Sequence, residues 1–333
     1  MALRIAIVGP GRVGIAFARR FVRAGVDVLG MVGRDRARTQ SRIDALGEHG
    51  GKLKVLNWTD VHSAHVVVFA VSDDELPGAI AAAAAAGGRP CSLWLHTSGR
   101  YGLEVFASAQ AQFATAQDPS AAAQDASAAT QDPSAKPSGV RLGALHPLLP
   151  FSGPVETHSM RGALALVLGE PRSMRLLHRL CTLLELQPVV CVSGTGSKPS
   201  APGSHHHRLL YHAACALAAN GTTALFGLAG ELLQRAGGIT PADCDRIVAS
   251  LMQAAVRASQ EHGAGPALSG PVRRGDADTV TAHLAALNAE AKSAVPAYVA
   301  LMNGALSLAR DQGLAPADCD RIASALWLLR PSS

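Results

Sequence analysis

Aromatic side chains are scarce in this chain of 333 residues, at 4% of the total. A core must therefore be filled by Ala, Val and Leu. Hydrophobic residues at 48% against 17% charged provide enough of them, and that balance argues against global disorder. No CxxC pair occurs among the six cysteines, at 91, 181, 191, 215, 244 and 319. A zinc knuckle and a dithiol redox motif are both missing, and cysteines in apolar stretches read as buried reduced thiols. Basic residues are scattered rather than massed, so no nucleic-acid partner is expected. The net charge of +5 suits a small anionic substrate or cofactor. The start, MALRIAIVG, carries no cleavable signal pattern. The apolar run at 79–86 is too short to cross a bilayer. A reduced, cytoplasmic protein with no membrane partner is the expectation.

The length suggests about two domains. Apolar runs at 3–8, 26–32, 66–71, 92–96 and 140–145 read as strands, with helical segments between them such as 12–24. Strands alternating with helices predict a parallel, doubly wound, Rossmann-like α/β sheet over residues 1–193. The stretch 116–135, AQDPSAAAQDASAATQDPSA, lacks large apolar groups. It reads as a low-complexity insertion, about 108–139, too polar to order itself. A Gly, Ser and Pro-rich break at 194–203 reads as a linker to an all-α domain at 204–330. There the pattern predicts helices over 207–236, 241–262, 276–291, 294–312 and 316–329. PADCDRI occurs at both 241–247 and 316–322, and the first copy carries Thr240 as cap and Pro241 at the first helical position.

IAIVGPGRVG places Gly9, Gly11 and Gly14 in a G-x-G-x-x-G pattern between a strand and a helix. In that context the pattern predicts a dinucleotide site. Gly9 makes the tight turn, Gly11 admits a pyrophosphate to the backbone, and Gly14 lets the helix pack on the sheet. Pro10, Arg12 and Val13 complete the loop, and the free N–H groups at the helix start meet phosphate. The second strand ends in MVGRDR, where an NAD-selective site usually places an acid. Arg34 stands there instead, and a guanidinium binds a 2′-phosphate, so NADP is the expected cofactor. Asp35 opposes this only if it faces the ribose; the bland alternative is a solvated charge cluster. Val71 and Ser72 follow a strand and are expected to line the nicotinamide ribose. Ser98, in HTSG, ends a strand at the same edge. His96 and His146 also stand at strand ends, with either a functional or a structural role.

GPGRVG, HTSG, ALHPL, YHAACALAAN and SGPVRRGD together resemble a bacterial family. Its members join a Rossmann-like NADP-binding domain to a helical C-terminal domain of unknown function. The resemblance covers nearly the whole chain apart from the low-complexity insertion. The family is similar in plan to the 6-phosphogluconate dehydrogenase superfamily, and some relatives look like alternative ketopantoate reductases of pantothenate synthesis. The resemblance implies NADPH-dependent reduction of a small 2-oxo acid. It also implies a homodimer through the helical domain, whose first long helix borders the nicotinamide.

That helix commonly supplies a lysine and an asparagine in the superfamily, but here no lysine lies between Lys198 and Lys292. His212 is the replacement expected to protonate a developing alkoxide, since imidazolium titrates near neutrality. Asn220, eight residues on, projects within about 80° of it on a regular helix and could anchor a carboxylate or carbonyl. Tyr211 projects about 100° from His212 and is assigned to substrate contact on a different face. Arg273 and Arg274 could hold a substrate carboxylate, while Asp276 or Asp278 could simply cap a helix. For His212 and Asn220 the structural alternative is helix packing. Two further readings stand beside the ketone reductase: a cyclic-imine reductase of pyrroline-5-carboxylate type, and a non-catalytic NADP(H)-binding regulator. The run His205, His206, His207 and His212 lacks the i, i+4 spacing of helical metal ligands, so no metal is expected.

Overall fold

The computed structural model describes residues 2–50, 52–87, 92–117, 139–151, 160–191 and 205–328. The expected linker at 194–203 and most of the low-complexity stretch lie outside these residues. The chain forms two compact units, Met1–Ala219 and Asn220–Ser333.

The first unit is built on one sheet of eight strands in the order β3-β2-β1-β4-β5-β6-β7-β8. The strands are β1 (Arg4–Val8), β2 (Asp27–Val32), β3 (Lys54–Val55), β4 (Val66–Phe69), β5 (Leu93–His96), β6 (Arg141–Pro147), β7 (Leu164–Gly169) and β8 (Gln187–Val190). The helices are α1 (Arg12–Arg23), α2 (Arg36–Asp44), α3 (Leu76–Ala85), α4 (Ala107–Gln117), α5 (Pro171–Leu184) and α6 (His205–Ala216). β1 to β6 pair in parallel, β6 and β7 are antiparallel, and β7 and β8 are parallel.

Successive residues of a strand face opposite sides of the sheet, and the core divides accordingly. Ile5, Ile7, Val66, Val68, Leu93 and Leu95 pack on one side with Phe17 and Phe21 of α1 and Leu177 and Leu180 of α5. Ala6, Val8, Val67, Phe69 and Trp94 pack on the other with Leu76 and Ile80 of α3 and Phe113 of α4. Because both faces are covered, the central strands read as unbroken apolar runs. β1 pairs with both β2 and β4, so consecutive crossovers leave it in opposite directions. That is the switch point at which such sheets bind ligands, outside the carboxyl ends of the strands.

Three strands depart from the expected set. β3 is two residues long, too short for an alternation signal. β7 and β8 extend the sheet beyond β6; β8, QPVV, is exposed throughout, and Pro188 is tolerated there because it sits on an edge strand. Residues 107–117 form α4 rather than opening the polar insertion; Ala109 and Phe113 anchor it to the core. The division between units also falls later than the 194–203 segment, because α6 belongs with the sheet unit.

The second unit contains α7 (Thr222–Ala236), α8 (Pro241–His262), the one-turn helices α9 (Ala264–Ala267) and α10 (Pro271–Arg274), α11 (Ala277–Glu290), α12 (Val295–Asp311) and α13 (Pro316–Leu328). Thr240 caps α8, its hydroxyl accepting from the Asp243 N–H, and Asp276 caps α11 in the same way through Thr279. The core of this unit gathers Val280, Leu284, Leu287, Val295, Val299, Leu306, Ile322 and Leu326. Both copies of PADCDRI bury their cysteine, Cys244 at 0% and Cys319 at 2% exposure. Cys181 is also buried, Cys191 and Cys215 are half-buried, and Cys91 lies outside the described residues. The helical run His206–Ala236 is long and apolar enough to cross a bilayer by length and composition alone, a test that the core helix of a soluble protein also passes; the run at 79–86 is shorter.

Candidate functional site

The loop after β1 has the geometry its glycines predict. Gly9 has φ +105, and a Cβ there would stand 2.4 Å from the Ala70 carbonyl oxygen and 2.8 Å from Cγ1 of Val71. A Cβ on Gly14 would meet the Gly9 carbonyl oxygen at 2.0 Å. Gly11 is the N-cap of α1 and brings no side chain; a Cβ there would touch only the Ala70 oxygen, at 3.8 Å. The first turn of α1 holds no acid of its own, and the N–H groups of Arg12, Val13 and Gly14 have no partner within the helix. Pro10 packs toward Gly33 at the end of β2. These residues fit a pyrophosphate.

At the end of β2 the two charges separate in role. The Asp35 carboxylate accepts from the Arg38 N–H at 3.0 Å and so caps α2. Arg34 is 85% exposed and pairs with Glu75, at the N-terminal end of α3. Arg34, not the acid, is therefore the group presented at the strand end, which fits a ribose carrying a 2′-phosphate. Val71 is half-buried against Gly9, as expected of a wall residue, whereas Ser72 is exposed and bonded to Asp74.

Val8, Phe69, His96 and Ala144 lie in one row across β1, β4, β5 and β6, so the strand ends face a common edge. His96 nevertheless turns inward. It is 0% exposed, its Nε2 bonds the Gly102 carbonyl at 3.1 Å, and its ring lies against Phe106. Burial pushes its pKa down to about 4. It is a neutral structural histidine, and the expected catalytic role is withdrawn. Ser98 is likewise committed: its Oγ accepts from the N–H groups of Arg100 and Tyr101 at 3.0 and 3.2 Å. It shapes the turn that follows β5 and was expected to bind cofactor.

That turn gathers the titratable side chains of the edge. The Tyr211 hydroxyl, on α6, lies 2.7 Å from Nδ1 of His146, at the end of β6. The His146 and His212 rings stand 6.5 Å apart, edge to face. A Cβ on Gly99 would approach Cε1 and Nε2 of His146 at 2.8 and 3.0 Å and Cδ2 of His212 at 3.0 Å. Both imidazoles therefore converge on the bare backbone of Gly99. Tyr211 and His212 were expected to serve different faces; His146 sits between them and meets both.

Burial first, then Arg208 and His212, push the His146 pKa down to about 4, with Asp73 pulling the other way. Burial and Cys215 raise that of Tyr211. Near neutral pH the phenol keeps its proton and the imidazole is neutral; with Tyr211 as the donor to Nδ1, the remaining proton of His146 sits on Nε2. Two contributors escaped the sequence reading. Arg208 hides in an apolar helix start, and Asp73 gave no signal beyond following a strand.

Asn220, Arg273 and Arg274 belong to the second unit. Asn220 is exposed within a π-helical turn, Leu217–Gly221, so the regular 3.6-residue projection from His212 does not hold. Arg273 and Arg274 close the one-turn helix α10. Among the described residues no three His, Cys, Asp or Glu groups gather as metal ligands, and His206 and His207 are exposed.

A glycine-rich turn at a sheet switch point, with a Tyr–His–His cluster at the same sheet edge, defines a Rossmann-type dinucleotide-binding fold. Comparisons agree with that class. Residues 1–116 match the Rossmann-like domain, and residues 169–305 match the domain of unknown function DUF2520. The chain thus carries a match to both domains, in that order. Its fold is similar to Bacteroides fragilis BF3122, described as a candidate NADP oxidoreductase. That likeness has TM-score 0.63 and 15% identity, over 92% of this chain and 98% of that one. Thermotoga maritima TM1727 gives TM-score 0.56 and 14% identity over 92% and 99%. A Coxiella burnetii pyrroline-5-carboxylate reductase gives 0.52 and 12% over 95% and 100%. At these identities the likeness shows a shared fold. No curated protein matches the chain.

Proposed function

We propose that this protein is an NADP-dependent reductase of a small 2-oxo acid, with His146, Tyr211 and His212 as its reacting cluster. The observation that carries the proposal is the convergence of the His146 and His212 imidazoles on Gly99, with Tyr211 bonded to Nδ1 of His146, at the same sheet edge as the Gly9–Gly14 loop. The exposed Arg34 and the committed Asp35 support NADP over NAD. The solved relatives described as an NADP oxidoreductase and as a pyrroline-5-carboxylate reductase support the same class.

Bound reduced nicotinamide supplies hydride to the carbonyl carbon. The chain must then supply a proton to the oxygen, and it must orient that oxygen. His146 is neutral at pH 7 and serves as an Nε2–H hydrogen-bond donor, its tautomer fixed by Tyr211. The proton itself falls to His212, whose imidazolium becomes neutral imidazole as the alkoxide becomes alcohol and regains its proton from solvent. Ketopantoate and pyrroline-5-carboxylate are the discriminating test pair. A ketone needs the His212 proton, whereas a protonated imine reaches its amine product without one. His212→Ala should therefore abolish keto-acid turnover at unchanged NADPH affinity. Equal loss with both substrates would count against the proton-donor role, and tight NADPH binding without turnover of either would favour the regulator.

We further propose a homodimer through the helical unit. Ile247 and Leu251, one turn apart on α8, are 36% and 66% exposed, and apolar side chains stacked on one helix face suit a partner surface. Light scattering of the full chain would show two copies; a monomer at micromolar concentration would refute this.

A further inference from the structure

Arg208 is the only Arg, Lys, Asp or Glu among the described residues that is fully buried, at 4% exposure. No carboxylate among the described residues pairs with it. Instead its Nε donates to the Tyr101 carbonyl at 3.1 Å and an Nη to the Ser98 carbonyl at 3.4 Å. The guanidinium lies 4.8 Å from the Tyr211 ring centre. A buried cation without a counter-ion is costly unless dipoles compensate it. Here two carbonyls and an aromatic face do so. Those acceptors flank Gly99, the point on which both imidazoles converge. Arg208 therefore joins the start of α6 to the turn after β5, with Tyr211 one helical turn further on.

We propose that Arg208 is a positioning residue for the reaction, fixing the Tyr211 phenol on Nδ1 of His146 and holding that pair in its neutral, hydrogen-bonded form. This rests on the reading of His146, Tyr211 and His212 as the reacting cluster. The groups facing His146 are Tyr211, Arg208 and His212 from α6, Asp73 from the turn after β4 and His96 from β5. Cys191 and Cys215 face Tyr211. Of these, Arg208 and His212 disfavour an imidazolium at 146 and Asp73 favours it, while burial outweighs each of them. A protonated His146 could not accept the Tyr211 hydrogen. Arg208 thus acts twice on one bond, through the fork that places the phenol and through the charge that keeps its acceptor unprotonated.

The test separates fork from charge in the full-length protein. Side-chain NMR titration of His146 and steady-state kinetics are read in Arg208→Met and Arg208→Lys. Arg208→Met removes both contributions; its His146 midpoint should rise by about one pH unit from the low wild-type value. Arg208→Lys keeps the charge but cannot reach both carbonyls in the same way. Its midpoint should stay low while kcat falls roughly tenfold, with the NADPH Kd unchanged in both. An unmoved midpoint in Arg208→Met overturns the proposal. Should that variant fail to fold, wild-type kcat in Arg208→Lys overturns it. If the wild-type protein reduces neither keto acids nor imines, the reductase reading fails, and the titration still decides whether Arg208 controls His146.

Discussion

Replacing Gly99 with alanine tests the proposed cluster with one methyl group. Gly99 does not require a left-handed backbone, so the chain itself accommodates alanine. The methyl would stand 2.8 Å from Cε1 of His146 and 3.0 Å from Cδ2 of His212. Carbon atoms pack at about 3.5–4.0 Å, so each ring must recede by roughly 0.5–1 Å. Tyr211 and His146 are joined at 2.7 Å. A recession of that size away from the phenol takes the bond beyond about 3.2 Å, where it weakens steeply. Overpacking of this kind costs about 1–3 kcal/mol of stability, and a misplacement of about 1 Å costs on the order of a hundredfold in turnover. The dinucleotide loop lies two strands away at the end of β1, so NADPH affinity should hold. Steady-state kinetics with a 2-oxo acid, with fluorescence titration of NADPH, gives both numbers. Gly78→Ala, where a Cβ meets nothing within 4 Å, is the control. Gly99→Ala with wild-type kcat would refute the convergence on this turn.

Other consequences are open to measurement. Arg34→Ala should weaken NADPH binding by tenfold or more and leave NADH nearly unchanged; equal weakening would remove Arg34 from the 2′-phosphate. Acid stability should track the buried imidazoles. His96 and His146 have pKa values near 4 in the folded chain against about 6.5 unfolded. Between those values the unfolded chain binds more protons, so stability falls as pH drops from about 6.5 to 4. For His96 alone the loss is on the order of 3 kcal/mol. Urea unfolding at pH 7 and 4.5 should show it, and His96→Phe should flatten that slope; an identical slope in the variant would contradict the burial argument.

The sheet and the cofactor loop were legible because their signals are local. GPGRVG announces a turn in which close contacts leave no room for a side chain at Gly9 or Gly14, and the doubly buried strands read as apolar runs. The weak strands were not legible: β3 is too short for periodicity, and β8 is an exposed edge strand. The cluster was legible only in part. His146 and His212 were chosen by position, but nothing local shows that Tyr211 bonds His146, because the partners are 65 residues apart. His96 looked equivalent to His146 at a neighbouring strand end, and only the three-dimensional turn to Gly102 separates a buried structural imidazole from one that joins the proposed cluster. Arg208 was missed because a charged residue at a helix start reads as solvated. Its burial is produced by carbonyls of Ser98 and Tyr101 more than a hundred residues away in sequence.

The most direct measurement of the central claim is NADPH oxidation by the full-length protein across a panel of small 2-oxo acids and cyclic imines, run beside Tyr211→Phe. The account predicts wild-type turnover of at least one 2-oxo acid. It also predicts that Tyr211→Phe binds NADPH as tightly and loses most of kcat, since His146 then has no donor to fix its tautomer. NADPH bound tightly by the wild type with no turnover of any member of the panel, or full kcat in Tyr211→Phe, would contradict it.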